Sequence, residues 1–478
     1  MKRGQITVFL SLILCLVLSV LLAGIESART AGMRMKLENA MDMGLDSVFA
    51  EYHRELLQRY DLYFIDTSYG NGNASPFYTG EHLREYMAYN LKPQKGQMLF
   101  GTVDFTGLVP EKVEVSGFSL ATDGNGAVFK RQAIHYIKDT YGISIINNLR
   151  KQIHTYQSRN IADRDIDQER ESAERNLREW KIPTEDGEES ERSVTIDNPA
   201  DDVNGLRSGI LRLVISDGMS VSQKKFSLSD LVSQREIQKG DGIAGNSEDL
   251  DSPVNELLFG KYIEKKYSTF TKPLSHEALE YEIEYILCGK GSDQENLEKV
   301  VGKLLKLREA ANVIYLFSNA SKQAQAEALA ATIAAAAGFP VLTELIKYTL
   351  LFAWAFVESV IDVRTLLNGG KVPLIKTDED WNFAIDNIRN FREHLDCGKS
   401  SERGLLYGDY LQIFLYFQNK IQKVYRCMDV IELNLRKTAG NLYFCMDGCM
   451  DYMEAEVTAV SGYGYTYRIK RDYGYEKR

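Results

Sequence analysis

Proline and histidine are scarce in this chain, nine and six of 478 residues. The histidines (His53, His82, His135, His154, His276 and His394) share no metal-ligand spacing, so a histidine-held metal centre has no signature here. Cysteine is also scarce, at six. Cys15 falls in an apolar run, leaving Cys288, Cys397, Cys427, Cys445 and Cys449, an odd set that does not form a closed disulfide framework. Cys445-x-x-x-Cys449 could align two thiolates, but a second pair for zinc is missing. Positive charge is in deficit, 57 Lys and Arg against 67 Asp and Glu. A net charge of −10 argues against general nucleic-acid binding, which needs a basic surface.

Catalytic signatures are missing as well. There is no Gly-x-Ser-x-Gly elbow and no plausible Cys-His pair, and the Gly-rich segment Lys239–Asp251 lacks the Lys-Ser/Thr of a phosphate loop. Lys239–Asp251 is rich in Gly, Asp and Asn but departs from the calcium-loop order, and reads as a turn. Glu280, Glu282 and Glu284 alternate with Leu279, Tyr281, Ile283, Tyr285 and Leu287, the pattern of a strand with one wet face. No catalytic constellation is recognised, no metal ligand set is assigned, and no cofactor is expected.

What is present begins at the N-terminus. Ile6–Ile25 holds no Asp, Glu, Lys, Arg or His. At about 1.5 Å per residue, a helix of that length spans the roughly 30 Å hydrocarbon core of a bilayer. Three readings of the run stay open: a cleaved signal peptide with a poor site near Ile25–Ala28, a plain signal anchor, and a pilin-like leader. The third rests on Arg3-Gly4-Gln5-Ile6-Thr7-Val8-Phe9, a basic tail and Gly directly before the apolar run. It resembles the leaders of Tad-type (tight adherence) pseudopilins, which implies cleavage between Gly4 and Gln5. Those leaders usually carry a Glu a few residues later, whereas Phe9 and its neighbours are uncharged. Thr7, Ser11, Cys15, Ser19 and Ala23 recur at every fourth position, a spacing that lets another membrane helix approach closely. Lys and Arg are balanced on the two sides (Lys2 and Arg3 against Arg29, Arg34 and Lys36), so charge alone sets no orientation. The short tail and large following domain predict a single-pass protein of the cytoplasmic membrane, N-terminus inside and main domain outside.

The rest predicts an α+β fold, mostly helical: the anchor, an amphipathic stalk helix, a helical bundle and a small sheet closed by the C-terminal strands. Residues 1–25 are tail and anchor. Residues 26–60 form the stalk, on the stripe Leu37, Met41, Leu45, Val48, Tyr52, Leu56 and Tyr60. Residues 61–125 give the N-terminal half of a small α+β unit, with strands at Leu62–Asp66 and Lys112–Leu120. A long helix is expected over 126–180 and an acidic linker and loop region over 181–253. A strand plus helical bundle follows over 254–437, including a buried hairpin of an Ala-rich helix and Val341–Leu367. A heptad-like stripe runs through it from Tyr410 to Leu435. Residues 438–478 supply Tyr-rich strands that return to complete the α+β unit, because the early strands lack enough neighbours to be stable alone.

Several segments together are similar to an uncharacterised family of membrane-anchored proteins of Gram-positive bacteria associated with Tad-type pilus loci. They include GQITVFLSLILCLVLSVLLAGIESAR, LEYEIEYILCGKGSDQENL and YLQIFLYFQNKIQKVYRCMDVIELNLR. The resemblance implies the lipid bilayer and pilus or secretion-system proteins as partners, and a structural or assembly role. The other reading of the sequence is a cell-surface hydrolase or sensor domain on a single-span anchor.

Overall fold

The computed structural model describes residues 2–92, 104, 106–159, 161, 164–183, 189–193, 196–207, 209–216, 218–241, 249–274 and 277–475. Most of the Gly-Asp turn (242–248), parts of the acidic stretch (184–188, 194–195) and His276 lie outside the described residues. The elements run α1 (Lys2–Phe49), α2 (Arg54–Tyr60), β1 (Ile65–Asp66), α3 (Pro76–Leu91), β2 (Val109–Leu120), α4 (Asp123–Tyr141), α5 (Asn147–Ser158) and α6 (Ile166–Arg178). Then come β3 (Lys181–Pro183), β4 (Glu189–Ser193), α7 (Pro199–Asn204), α8 (Ile210–Val214), α9 (Pro253–Lys266), α10 (Glu282–Cys288) and α11 (Asp293–Ser318). The chain closes with α12 (Ala320–Ala336), α13 (Thr343–Leu367), α14 (Tyr407–Phe417), α15 (Lys420–Leu435), β5 (Cys449–Val460) and β6 (Thr466–Gly474). Two compact units result, one of residues 1–133, 235–250 and 431–478, the other of 134–234 and 251–430.

The first unit is built on a four-stranded antiparallel sheet with β5 at its centre. One edge of β5 pairs with β2, from Val109↔Val460 to Leu120↔Met450. The other edge takes β6, from Thr466↔Val460 to Gly474↔Tyr452, and then β1 at Ile65↔Met450. The C-terminal strands therefore close a sheet begun by the N-terminal ones. Met453, Ala455, Val457 and Ala459 alternate along β5 and meet Leu37, Met41, Leu45 and Val48 of α1 and Leu83 and Met87 of α3 in one apolar core. Gly44 permits the close crossing of the two helices, since a Cβ there would fall 2.8 Å from the Leu83 side chain. The second half of α1 is thus a core helix rather than a bare stalk, buried from Met33 onward on its inner stripe. The expected stalk over 26–60 also breaks after Phe49, and α2 starts afresh with the His53 ring accepting from the Leu56 amide at 3.2 Å.

The second unit is helical around α13, whose residues from Thr349 to Val363 are all buried. It packs against α11 and α12, the latter forming the expected hairpin. Three expectations are corrected here. The long helix over 126–180 is three helices, broken at Gly142 (φ 70°) and again before Asp165, which caps α6 through the Gln168 amide at 3.1 Å. The strand at Leu279–Leu287 is instead α10, with Glu282 and Glu284 buried rather than wet. The heptad-like stripe is interrupted at Gln418, where the backbone turns extended and the Gln418 side-chain Nε2 donates to Ile286 O at 2.6 Å. Asn419 then caps α15, leaving Phe417 and Ile421 of the stripe exposed. The acidic stretch is also structured at its end: Asn198 caps α7 and donates to Thr349 Oγ1 at 2.8 Å.

Candidate functional site

Among the described residues, α1 is the one helix long and apolar enough to cross a membrane. Every residue from Ile6 to Ile25 is exposed on it. Gly4 and Gln5 lie in its first turns, within helical backbone. Thr7, Ser11, Cys15, Ser19 and Ala23 all lie on the exposed stretch. At about 100° per residue their row turns through roughly 160°, so it forms a spiral and no single narrow seam. The Ser11 and Ser19 hydroxyls donate to Val8 O and Leu16 O, each at 2.8 Å, so neither leaves a donor unpaired in an apolar surrounding. Just past the run, Arg29 pairs with Glu26 at 2.5 Å and lies 3.8 Å from the centre of the Tyr463 ring.

The second unit carries a groove of about 410 Å³ between α6, the end of α11 and the start of α13. Phe317, Leu345, Tyr348 and Phe352 provide its apolar part. The Phe317 and Tyr348 rings stack at 5.9 Å, and Phe317 meets Phe352 at 5.6 Å. Gln168, Glu169, Ser172 and Asn176 of α6 form the polar wall. Its one carboxylate, Glu169, is held by Arg164 through two bonds of 2.7 and 2.9 Å. Among the described residues, no histidine, cysteine or lysine lines it. The arrangement offers an apolar, aromatic seat with a hydrogen-bonding rim.

One charge cluster of that unit is internal. Arg308, Glu358, Asp362 and Lys376 are all buried. Lys376 bridges Glu358 and Asp362, the latter at 2.6 Å, and Arg308 reaches Asp362 at 3.0 Å. Glu358 also accepts from the Asn382 and Phe383 amides at 3.0 and 2.8 Å, while Arg308 donates to Pro373 O, Leu374 O and the Tyr410 hydroxyl. Two cations face two anions, so the cluster fastens residues 373–383 to α11 and α13. Burial next to it pushes the Tyr410 hydroxyl up to about 12.

A second cluster, in the first unit, brings Glu432, Cys445 and Asp447 within reach of one point. Guanidinium groups hold it already: Arg235 binds both oxygens of Glu432, at 2.7 and 2.8 Å, and Asp447 at 2.5 Å, while Arg436 donates to Glu432 and to Cys445 Sγ. It ties residues 235–238 to the end of α15, with Gln238 N donating to Asp447. Cys445 and Cys449 do not share a helix; Cys449 starts β5 and its thiol donates to Cys445 O. All six cysteines are free.

The buried acids were invisible to sequence reasoning. Glu284 is fully buried, accepts from the Phe270 amide at 2.9 Å and the Tyr407 hydroxyl at 2.8 Å, and burial raises its carboxyl to about 7. Glu282 accepts from the Ser268 amide at 2.7 Å. The two side chains hold the 268–270 turn and present nothing to solvent.

Residues 188–461, more than half of the chain, match a family of unknown function, DUF5702. No curated protein and no solved structure matches the chain.

Proposed function

We propose, from the premise that this chain belongs to the DUF5702 family of unknown function, that it is a membrane-anchored structural or assembly protein acting outside the cytoplasm. Its work is done through protein–protein contact in a Tad-like type IV pilus or secretion apparatus. The observation that carries this reading is α1: twenty exposed, uncharged residues continue without a break into the core of a folded unit. An anchor joined to a core in this way transmits position and load to the domain. The Gly4-Gln5 leader and the segments that resemble pilus-locus proteins supply the association with a Tad-like apparatus. The groove on α6, α11 and α13, with aromatic rings and a paired carboxylate, supports binding in preference to hydrolysis.

Deleting the protein from its native host and imaging the cell surface tests the role, with loss of pili expected and normal piliation overturning it. N-terminal sequencing of the mature protein from membranes tests the leader. A start at Gln5 is the pilin-like outcome and an intact Met1 is a simple anchor. A start near Arg29 would remove the anchor and the proposal with it. Orientation is read from protoplasts, where added protease is expected to cut beyond Glu26. Protection until lysis would reverse it.

A further inference from the structure

The turn that joins β5 to β6, Gly462–Tyr465, ends beside the point where the apolar part of α1 stops. β6 runs along α1 in steps: Tyr463 at Arg29, Tyr467 at Met33, Arg471 at Glu38 and Asp42, and Tyr475 at Phe49. The turn is therefore at the end of the sheet that faces the apolar run. Its position is fixed rather than free. Gly462 N donates to Thr106 O at 3.0 Å, and Thr106 accepts from Lys36 of α1 at 2.9 Å. Gly464 takes φ 82°, which closes the turn, and the Tyr463 and Tyr465 rings lie 3.8 and 5.9 Å from the Arg29 guanidinium of α1. Both rings stay about half exposed, at 49% and 45%.

Arg29 lies four residues past Ile25, about 6 Å further along the helix. The polar layer on each side of a bilayer is roughly 5–8 Å thick. Arg29 and the ring above it fall within that layer when Ile6–Ile25 fills the hydrocarbon. Tyrosine is the side chain enriched at this depth, with an apolar ring and a hydroxyl for the headgroups.

We propose that the β5–β6 turn is a second membrane contact, with Tyr463 and Tyr465 seated among the phospholipid headgroups beside the exit of α1. This rests on the anchor reading above and adds to it that the first unit sits directly on the bilayer, held at two points. The contact resists tilting of the unit about α1, which a single helix does not.

The test uses the full chain in phosphatidylcholine–phosphatidylglycerol vesicles, with the photoreactive residue p-benzoylphenylalanine placed singly at Leu22, Tyr463, Tyr465 or Lys470. Lipid adducts are read by mass. Adducts are expected at 22, 463 and 465, with loss of the signal at 470, further along the same strand. Adducts at 22 with none at 463 and 465 would overturn the second contact while leaving the anchor in place. No adduct at 22 would overturn the anchor itself. Cross-links from 463 to protein instead of lipid would assign the turn to a second copy and likewise end the proposal.

Discussion

Replacing Lys376 by Met removes the cation that Glu358 and Asp362 share, and leaves two buried carboxylates with Arg308 paired to Asp362 alone. Removing one partner from a buried ionic group costs about 3–5 kcal/mol, because the charge left behind has no water to solvate it. Unfolding entropy near 2.1 cal/mol/K per residue over the roughly 280 residues of the second unit gives about 0.6 kcal/mol per degree. The expected fall in midpoint is therefore about 5–8 °C. Tryptophan fluorescence of the detergent-solubilised chain reports it locally: Lys376 Nζ lies 5.4 Å from the Trp381 ring centre, and Trp354 packs edge-on to Trp381 at 5.5 Å. The double variant Lys376→Met with Asp362→Asn restores the balance of one cation to one anion. It keeps an amide oxygen for Arg308, so it should recover at least about 1 kcal/mol of the loss. Lys376→Met with Glu358→Leu should recover less, since the Asn382 and Phe383 amides are orphaned at about 1–3 kcal/mol each. A single variant within about 1 kcal/mol of the parent, or strictly additive doubles, would refute the view of the cluster as one coupled unit.

Two further outcomes are expected. Glu284 keeps its proton in the folded chain up to about pH 7, whereas the unfolded chain releases it near the ordinary 4.5, so stability from this group falls as pH rises through that window. The total is about 3 kcal/mol; Glu284→Gln should flatten the profile between those pH values and gain on the parent above pH 7, and urea midpoints that stay parallel to the parent across the window would contradict it. Truncation after Ser461 strips nine paired residues of β6 from β5 and removes Tyr467, Ile469 and Tyr475 from α1. Hydrogen exchange along Met33–Phe49 should then speed up, and unchanged protection there would show that β6 is dispensable to the unit.

The sequence carried the apolar run, the Ser292 cap (accepting from Glu295 N at 3.3 Å), the α12–α13 hairpin and the return of the C-terminal strands. Each rests on local chemistry or on a strong period. The break between α1 and α2 left no mark, because residues 50–53 hold neither Gly nor Pro and Leu56 and Tyr60 stay in phase with the stripe. Glu282 and Glu284 misled for a different reason. Acidic residues at alternate positions look like a solvated face until their partners, the Ser268 and Phe270 amides, are placed in space. The four charges around Lys376 come from three separate stretches of chain, so nothing in any one of them announces a network. The groove is likewise built from α6, α11 and α13, and its rings read singly as core.

Central placement of β5 has a consequence for the order of events at the ribosome. β2 leaves the exit tunnel some 330 residues before its partner strand. At about 5–20 residues per second, β2 waits roughly 15–70 s for β5. During that interval α1 and α3 have no sheet on which to lay their apolar faces, and the edge of β2 is open to any passing strand. The second unit, made of residues 134–234 and 251–430, is complete before the first can close. Early capture of α1 by a membrane would shorten the exposed part of the waiting chain, and a stalled or prematurely terminated transcript would release a product whose oldest segment has never folded.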